Sequence, residues 1–169
     1  YWLDNQLYFG IKSDGAWNEV SVPWEPQTNT WYHISCVRES GEITFYVNGN
    51  NIGSELANIY IPNLEGNITL GKYEWDTNWT GLNGNLDNIQ LWNTALSQEE
   101  INNYISCPPL GTESGIINLW GLEESGQAVI FDFVNNFPGG QLINMQTNGA
   151  WSINTPDYNC QTCLTNEET

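Results

Sequence analysis

The sequence has few positive charges: three Lys and Arg residues stand against twenty Asp and Glu residues, and the formal charge is −17. Proteins that bind nucleic acids neutralise phosphates with many cations, and anionic membrane surfaces likewise attract basic segments. Neither partner is expected here. No apolar run approaches the roughly 20 residues of a membrane-spanning helix, so membrane insertion is not expected either. The acidic composition instead suits calcium, or a salty medium that screens self-repulsion.

Catalytic signatures are also scarce. The one histidine, His33, lies in the predicted strand WYHISCVR, on the side opposite to its apolar residues, which is typical of a surface position. The sequence contains no Ser-His-Asp set and no HExxH motif. The adjacent pair Glu123-Glu124 would point to opposite faces of a strand. The chain is therefore not expected to be an enzyme.

Short alternating segments separated by Gly and Asn turns dominate the chain and predict strands. EITFYVNG ends in Asn48-Gly49, a strong hairpin signal. One helix is predicted over 98–105, because Ser97 and Glu100 form a capping box and Cys107-Pro108-Pro109 ends the pattern. Many strands with one short helix predict an all-β fold, a two-sheet antiparallel β-sandwich or jelly roll. Strands are predicted over 7–11, 18–22, 31–38, 42–49, 67–73, 84–92, 115–122, 128–133, 140–145 and 148–153.

Four cysteines have different expected states. Cys36 shares its side of the strand with Tyr32 and Ile34, which predicts a buried thiol. Cys107 and Cys160 flank the segment 108–159, and a disulfide between them would join its ends in an oxidising compartment. Cys163 would then pair beyond the visible chain. A redox or zinc role for the CxxC of Cys160 and Cys163 lacks the βαβ setting or the second CxxC that such sites need.

Three stretches carry a resemblance to a known family: WYHISCVRESGEITFYVNG, ITLGKY and GNLDNIQLWNTALSQEEI. Together they resemble the laminin-G-like, concanavalin A-like lectin/glucanase superfamily, of the kind found in Bacteroidetes-type secreted surface proteins. The resemblance covers residues 1–106, which would be the closing two-thirds of such a jelly roll. Residues 115–153 resemble its opening strands. We expect residues 107–160 to complete the same sandwich, with a neighbouring repeat as the alternative, and 161–169 to start a linker.

Asp87 is expected to be a buried carboxylate, because it shares one side of the predicted strand with the apolar residues Ile89 and Leu91. A buried carboxylate is costly unless it is paired, hydrogen-bonded or bound to a metal. The resemblance implies a structural calcium, which is ligated by six to eight hard oxygens. Its expected ligands are Asp87, Glu123 and Asp132. The alternative is that Asp87 accepts backbone hydrogen bonds or pairs with one of the few cations, Lys12, Arg38 or Lys72.

A loop between two predicted strands, GKYEWDTNWTG, combines aromatic rings with short polar side chains. Rings stack on the C–H faces of sugars, while Asp and Asn bind hydroxyl groups. The expected sugar-binding residues are Tyr73, Trp75, Asp76, Asn78 and Trp79, and the alternative is that these rings cap the sandwich. Trp17 and Trp24 form a second candidate platform.

The residues and the resemblance together predict a non-catalytic extracellular binding module, for a glycan or another cell-surface ligand, within a larger secreted or cell-surface adhesin. Because the chain opens on Tyr1 without a signal peptide, we expect a processed product or a segment of a longer parent polypeptide. One alternative is a spacer or stalk domain with no ligand of its own. Another is the accessory module of a polysaccharide-degrading enzyme.

Overall fold

A computed structural model describes residues 1–13, 16–57, 68–71, 81–124, 126–142 and 151–160. The chain divides into two compact units. Unit 1 comprises Tyr1–Leu64, Ala95–Pro108 and Tyr158–Thr169, and unit 2 comprises Glu65–Thr94 and Pro109–Asp157. The strands of both units pair antiparallel, which confirms the predicted all-β class. Within the described part of the chain, no helix is long and apolar enough to cross a membrane.

Unit 1 contains two three-stranded sheets. The first has β1 (Trp2–Leu3), β2 (Gln6–Ser13) and β3 (Ala16–Pro23) in that order, and the second has β4 (Ile34–Glu39), β5 (Glu42–Val47) and β6 (Asn50–Leu56). Apolar residues alternate along β2, β3 and β5, so each sheet presents one apolar face. The two faces form one core, whose buried members are Leu7, Val20, Val22, Ile43, Phe45, Val47 and Ala57.

The Asn48-Gly49 turn between β5 and β6 confirms the hairpin prediction. Both residues have positive φ, 49° and 73°, as the two central residues of a type I′ turn require. A Cβ atom at position 49 would also meet the side chain of Asn102, which would have to shift. The Oδ1 atom of Asn48 accepts a hydrogen bond from the backbone N–H of His33 at 2.9 Å.

The predicted helix is present as α1 (Gln98–Ser106). Its capping box is formed as expected: Ser97 Oγ accepts from the N–H of Glu100, and the Glu100 carboxylate accepts from the N–H of Ser97. Ile101 is the buried residue of the helix. The side-chain amide of Gln98 donates to the carbonyl of Gly49 at 2.8 Å, which attaches the start of the helix to the β5–β6 turn.

Unit 2 is built from two-stranded sheets. One pairs β7 (Ile89–Trp92) with β8 (Ile116–Trp120), and the other pairs β9 (Val129–Asp132) with β10 (Phe137–Gln141). The strand predicted over 84–92 is shorter than expected because Asn88 has a φ of 49°, which extended strand backbone does not adopt. Buried side chains here include Ile116, Leu119 and Trp120.

The prediction for Cys36 is wrong. Pairing places Cys36 opposite Phe45 and Ile34 opposite Val47, so both do point to the core side of their sheet. Phe45 is 0 % exposed, yet Ile34 is 44 % exposed and Cys36 is exposed too. Among the described residues β4 pairs with β5 alone, which makes it the edge of the sheet. The core covers the middle of the sheet but not this edge.

Other strand predictions differ in extent. The short strand β1 and the polar strand β6 were not predicted, and β10 begins earlier than the predicted 140–145. Residues 68–71 and 151–153 are not in strands, and the remaining parts of the segments predicted over 67–73, 140–145 and 148–153 lie outside the described residues.

Candidate functional site

An aromatic pair lies on the outer face of the first sheet in unit 1. Leu7 and its partner Val22 face the core, so the next pair, Tyr8 and Ser21, faces away from it. Tyr1 is bound beside Tyr8 by backbone hydrogen bonds, with the Tyr8 N–H donating to the Tyr1 carbonyl at 2.7 Å. The two rings stack with centroids 4.6 Å apart and planes 5° apart. We call Tyr1, Tyr8, Glu19 and Ser21 the tyrosine face.

A carboxylate lies at the edge of this stack. Tyr1 Oη donates to Glu19 Oε1 at 2.6 Å. Desolvation and this bond to an anion both raise the pKa of Tyr1, so the phenol stays protonated at neutral pH. Glu19 shares the face of Tyr8, because β3 pairs with β2 in register and Glu19 is two residues before Ser21. The tyrosine face therefore combines ring surface, a fixed hydroxyl and an acceptor.

The indoles beside this face have different environments. Trp2 is 46 % exposed, and its Nε1 donates to the carbonyl of Trp24 at 2.8 Å. Trp24 itself packs against the core of unit 1 and meets Tyr32 edge-on, with ring centroids 5.2 Å apart. The second candidate platform is therefore half-buried at Trp24, and the side chain of Trp17 lies outside the described set.

The loop predicted to bind sugar, with Tyr73, Trp75, Asp76, Asn78 and Trp79, lies outside the described residues. That prediction stays a prediction. The tyrosine face was missed because it depends on β1, a strand of two residues that is too short to show a period.

Asp132, one predicted calcium ligand, is a buried carboxylate that is 4 % exposed. Its Oδ1 accepts from the backbone N–H groups of Leu119 and Val134, each at 3.0 Å. Its Oδ2 accepts from the side-chain amides of Asn118 at 2.7 Å and Asn135 at 2.6 Å. Desolvation acts to raise the pKa of Asp132, but these donors outweigh it and the pKa is lowered overall. Both oxygens are thus engaged by N–H donors, which does not favour a metal at Asp132.

Asp87 and Glu124 lie beyond one end of the β7–β8 sheet. Ile89 pairs with Trp120, and the two strands are antiparallel. The residues before Ile89, which include Asp87, and the residues after Trp120, which include Glu124, therefore extend from the same end of this sheet. Asp87 is half-buried with a buried Oδ2. Glu124 accepts from the N–H of Phe131 through Oε1 at 2.7 Å, while its buried Oε2 has no hydrogen-bond partner in the structure. The neighbouring candidate, Glu123, is exposed.

Leu122 marks this end of the sheet as unusual. Its φ is 61°, in the left-handed region that a bulky residue rarely adopts. Because β8 ends at Trp120, neither Glu123 nor Glu124 lies in a strand, and the prediction that they point to opposite faces of one does not apply. No group of three or more His, Cys, Asp or Glu side chains with metal-binding geometry occurs among the described residues.

One backbone hydrogen bond joins the two segments that carry the predicted disulfide partners, Cys107 and Cys160. The N–H of Asn159 donates to the carbonyl of Ser106 at 2.8 Å, and each cysteine is the next residue of its segment. Cys107 is half-buried and Cys160 is exposed. In the structure no disulfide bond joins Cys107 to Cys160 or to Cys36.

His33 precedes β4 and is half-buried. Desolvation lowers its pKa, and its Nδ1 lies 3.4 Å from Ser35 Oγ. The imidazole is therefore neutral at physiological pH and lies next to the hydroxyl group of Ser35 in β4.

Comparison with known proteins gives the family. A family model described as the concanavalin A-like lectin/glucanases superfamily, of laminin G type, matches residues 1–102. The chain belongs to this superfamily. The β-sandwich of unit 1 is the fold that the family predicts, and the match ends within α1.

A solved structure is also similar to the chain: an S-layer domain-containing protein (residues 221–444) from Clostridium thermocellum. The identity is 20 %, the TM-score is 0.38, and the match covers 57 % of this chain. It covers 50 % of that structure, so the chain spans half of its length. No curated protein matches the sequence.

Proposed function

We propose that the chain is a non-catalytic, extracellular glycan-binding module of a larger secreted or cell-surface protein. The tyrosine face carries the proposal, because it combines a stacked pair of rings, exposed at Tyr1 and half-buried at Tyr8, with hydrogen-bonding groups held on one sheet. A sugar presents C–H groups on one face and hydroxyl groups around its edge, and such a surface matches both. Laminin G-like domains are generally non-catalytic binding modules, which supports the class of function.

The charge of the chain narrows the ligand. Glu19 would accept a hydroxyl of the sugar, and the phenol of Tyr1 is already oriented by it. With a formal charge of −17, the chain repels uronic acids and sulfated sugars, particularly at low salt. Neutral sugars or amino sugars are therefore the expected ligands.

A glycan array tests the proposal. The wild-type chain is expected to bind neutral or amino-sugar glycans, and Tyr8→Ala is expected to lose those signals. The matched control is Tyr158→Ala, which removes an exposed tyrosine outside the tyrosine face. Circular dichroism of both variants establishes that they are folded. If the wild-type chain binds no glycan on the array, the proposal fails and a spacer domain without a ligand becomes the better account.

We also propose a structural calcium, held by Asp87 and Glu124. The buried Glu124 Oε2 fits a cation, because a buried carboxylate oxygen without a hydrogen bond is costly. Calcium also accepts backbone carbonyls and water as ligands, so two carboxylates can supply part of the ligand set and other oxygens the rest. This ligand set keeps the expected Asp87 and replaces Glu123 and Asp132.

The adjacent glutamates give a matched pair of variants for calcium. Calcium is expected to raise the thermal midpoint of the wild-type chain relative to chelator, since a ligand of the native state stabilises it. Glu124→Gln is expected to remove this response, and Glu123→Gln to keep it. A wild-type chain that does not respond to calcium contradicts the site, and a response lost only in Glu123→Gln assigns the ligand to the other glutamate.

A further inference from the structure

We propose that Cys107 and Cys160 form a disulfide that acts as a clasp at the boundary of unit 1. The chain leaves unit 1 after Pro108 and returns to it at Tyr158. Both cysteines belong to unit 1, and the segment 109–157 of unit 2 lies between them in the chain. This segment contains β8, β9 and β10, so the disulfide bond would close the greater part of unit 2 into a covalent loop.

The backbone geometry supports this pairing. The Asn159 N–H donates to the Ser106 carbonyl at 2.8 Å, so the two segments meet at the residues that precede the cysteines. Consecutive Cα atoms are 3.8 Å apart, and a disulfide needs Cα atoms within about 7 Å. Each cysteine is one such step from the residue that makes the hydrogen bond, which brings the pair near that limit.

The helix end holds one partner in place. Cys107 is the C-cap of α1, and its N–H donates to the carbonyl of Asn103. The helix is anchored to unit 1 through its capping box and through the contact of Gln98 with Gly49. Because α1 is fixed, the bond would fix the returning segment that carries Cys160.

The reaction is a thiol–disulfide exchange. The thiolate of one cysteine attacks a small-molecule disulfide such as oxidised glutathione, and one glutathione thiol leaves. The second cysteine then attacks the mixed disulfide, the Sγ–Sγ bond forms and a second glutathione leaves. Two protein thiols are oxidised and one glutathione disulfide is reduced to two thiols.

Peptide mapping of the oxidised chain tests the pairing. The chain is equilibrated with reduced and oxidised glutathione, alkylated, and digested at glutamate without reduction. In Cys163→Ser, which leaves Cys160 as the sole cysteine of its peptide, the expected product links residues 101–113 to the peptide that carries Cys160. In the wild type the same link is expected, with Cys36 and Cys163 alkylated. A Cys107–Cys163 link, or an alkylated Cys107 in the oxidised chain, overturns the proposal.

Stability measurements test the clasp itself. Closing a loop of this length is expected to raise the thermal midpoint on the order of 10 °C relative to the reduced chain. Cys107→Ser and Cys160→Ser are each expected to lose that gain, and Cys36→Ser to retain it. An equal midpoint for the oxidised and reduced wild type, with the mapped bond present, shows that the bond does not act as a clasp. Neither experiment depends on glycan binding, so each succeeds or fails separately from the proposed function.

Discussion

The two units are stabilised in different ways. Unit 1 has a continuous apolar core shared by two sheets, with Phe45 at its centre and α1 attached to the adjoining turn. Unit 2 has short two-stranded sheets, and a buried carboxylate, Asp132, collects donors from β8 and from the turn after β9. Several apolar side chains of the β9–β10 hairpin, Phe131, Phe133 and Phe137 among them, stay exposed.

This difference shows which force positions each part of the chain. Apolar burial is non-directional and scales with area, so unit 1 depends on side chains of suitable size. A hydrogen-bonded carboxylate is directional and depends on ionisation, so unit 2 depends on pH and on exact geometry. The tyrosine face lies on the unit whose sheets the apolar core holds, which suits a binding surface that must be rigid.

The largest expected effect is in the core of unit 1. Phe45→Ala removes a fully buried ring and is expected to cost about 3–5 kcal/mol of the free energy of unfolding. Phe137→Ala, the same substitution at a residue of unit 2 that is 61 % exposed, is expected to stay within about 0.5 kcal/mol. Urea denaturation measures both. Equal losses of the free energy of unfolding in the two variants would contradict the difference in apolar burial between the two units.

The next effect is in unit 2. Asp132→Asn replaces one acceptor oxygen by a donor that faces other N–H groups, and is expected to cost about 2–3 kcal/mol. Hydrogen exchange of peptides spanning residues 116–142 measures the loss locally. Asp157→Asn, at an exposed aspartate, is the control and is expected to leave this exchange unchanged.

The pH dependence of the same variant sharpens the contrast. The pKa of Asp132 is lowered in the folded chain, so its ionised form stabilises the fold above the unfolded pKa of about 3.9. That stabilisation is lost as the pH falls through the folded pKa. The wild type is therefore expected to lose protection in unit 2 below about pH 4, and Asp132→Asn to lose less over the same range. Parallel profiles would contradict the role of the carboxylate.

A smaller effect is expected at the helix of unit 1. Ser97→Ala removes the oxygen that accepts from the Glu100 N–H and is expected to cost about 1 kcal/mol. The control is Ser106→Ala at the other end of α1, where the hydroxyl donates to the carbonyl of Asn102 within the helix. Thermal unfolding compares the two, and an equal loss at both ends would show that the cap has no special role.

The smallest effect concerns His33. Its pKa is lowered in the folded chain by desolvation, so the neutral ring contributes stability above the unfolded pKa of about 6.5. That contribution is lost as the pH falls below this value. The thermal midpoint of the wild type is expected to fall slightly more between pH 8 and pH 5.5 than that of His33→Gln. A steeper fall in the variant would mean that protonation stabilises the fold.

Local signals in the sequence predicted much of the fold. Ser97 with Glu100, and Asn48 with Gly49, each define a cap or turn through residues close in sequence, and both are formed. Alternation placed Phe45 and Cys36 on the correct side of their sheet, but it carries no information on where that sheet ends. Burial of Cys36 was therefore mispredicted although its direction was right.

The candidate sites were harder to predict because they depend on pairing. The tyrosine face needs Tyr1 beside Tyr8, and Glu19 on the same face of the sheet as Tyr8, which no local pattern encodes. The hydrogen-bond donors to Asp132 come from two segments of the chain, so the sequence identified the carboxylate but not the residues that donate to it. Glu124 and Glu123 are adjacent acids that the sequence does not distinguish, and the positive φ of Leu122 just before them is one that no residue preference predicts.

A single titration tests glycan binding at the tyrosine face most directly, with the exposed Phe137 of unit 2 as the comparison. The strongest glycan from the array is titrated into the wild type, Tyr8→Ala and Phe137→Ala by calorimetry. We expect Tyr8→Ala to weaken binding about tenfold or more, equivalent to about 1.4 kcal/mol or more. We expect Phe137→Ala to bind as the wild type does. Unchanged affinity in Tyr8→Ala, or a loss confined to Phe137→Ala, would contradict glycan binding at the tyrosine face.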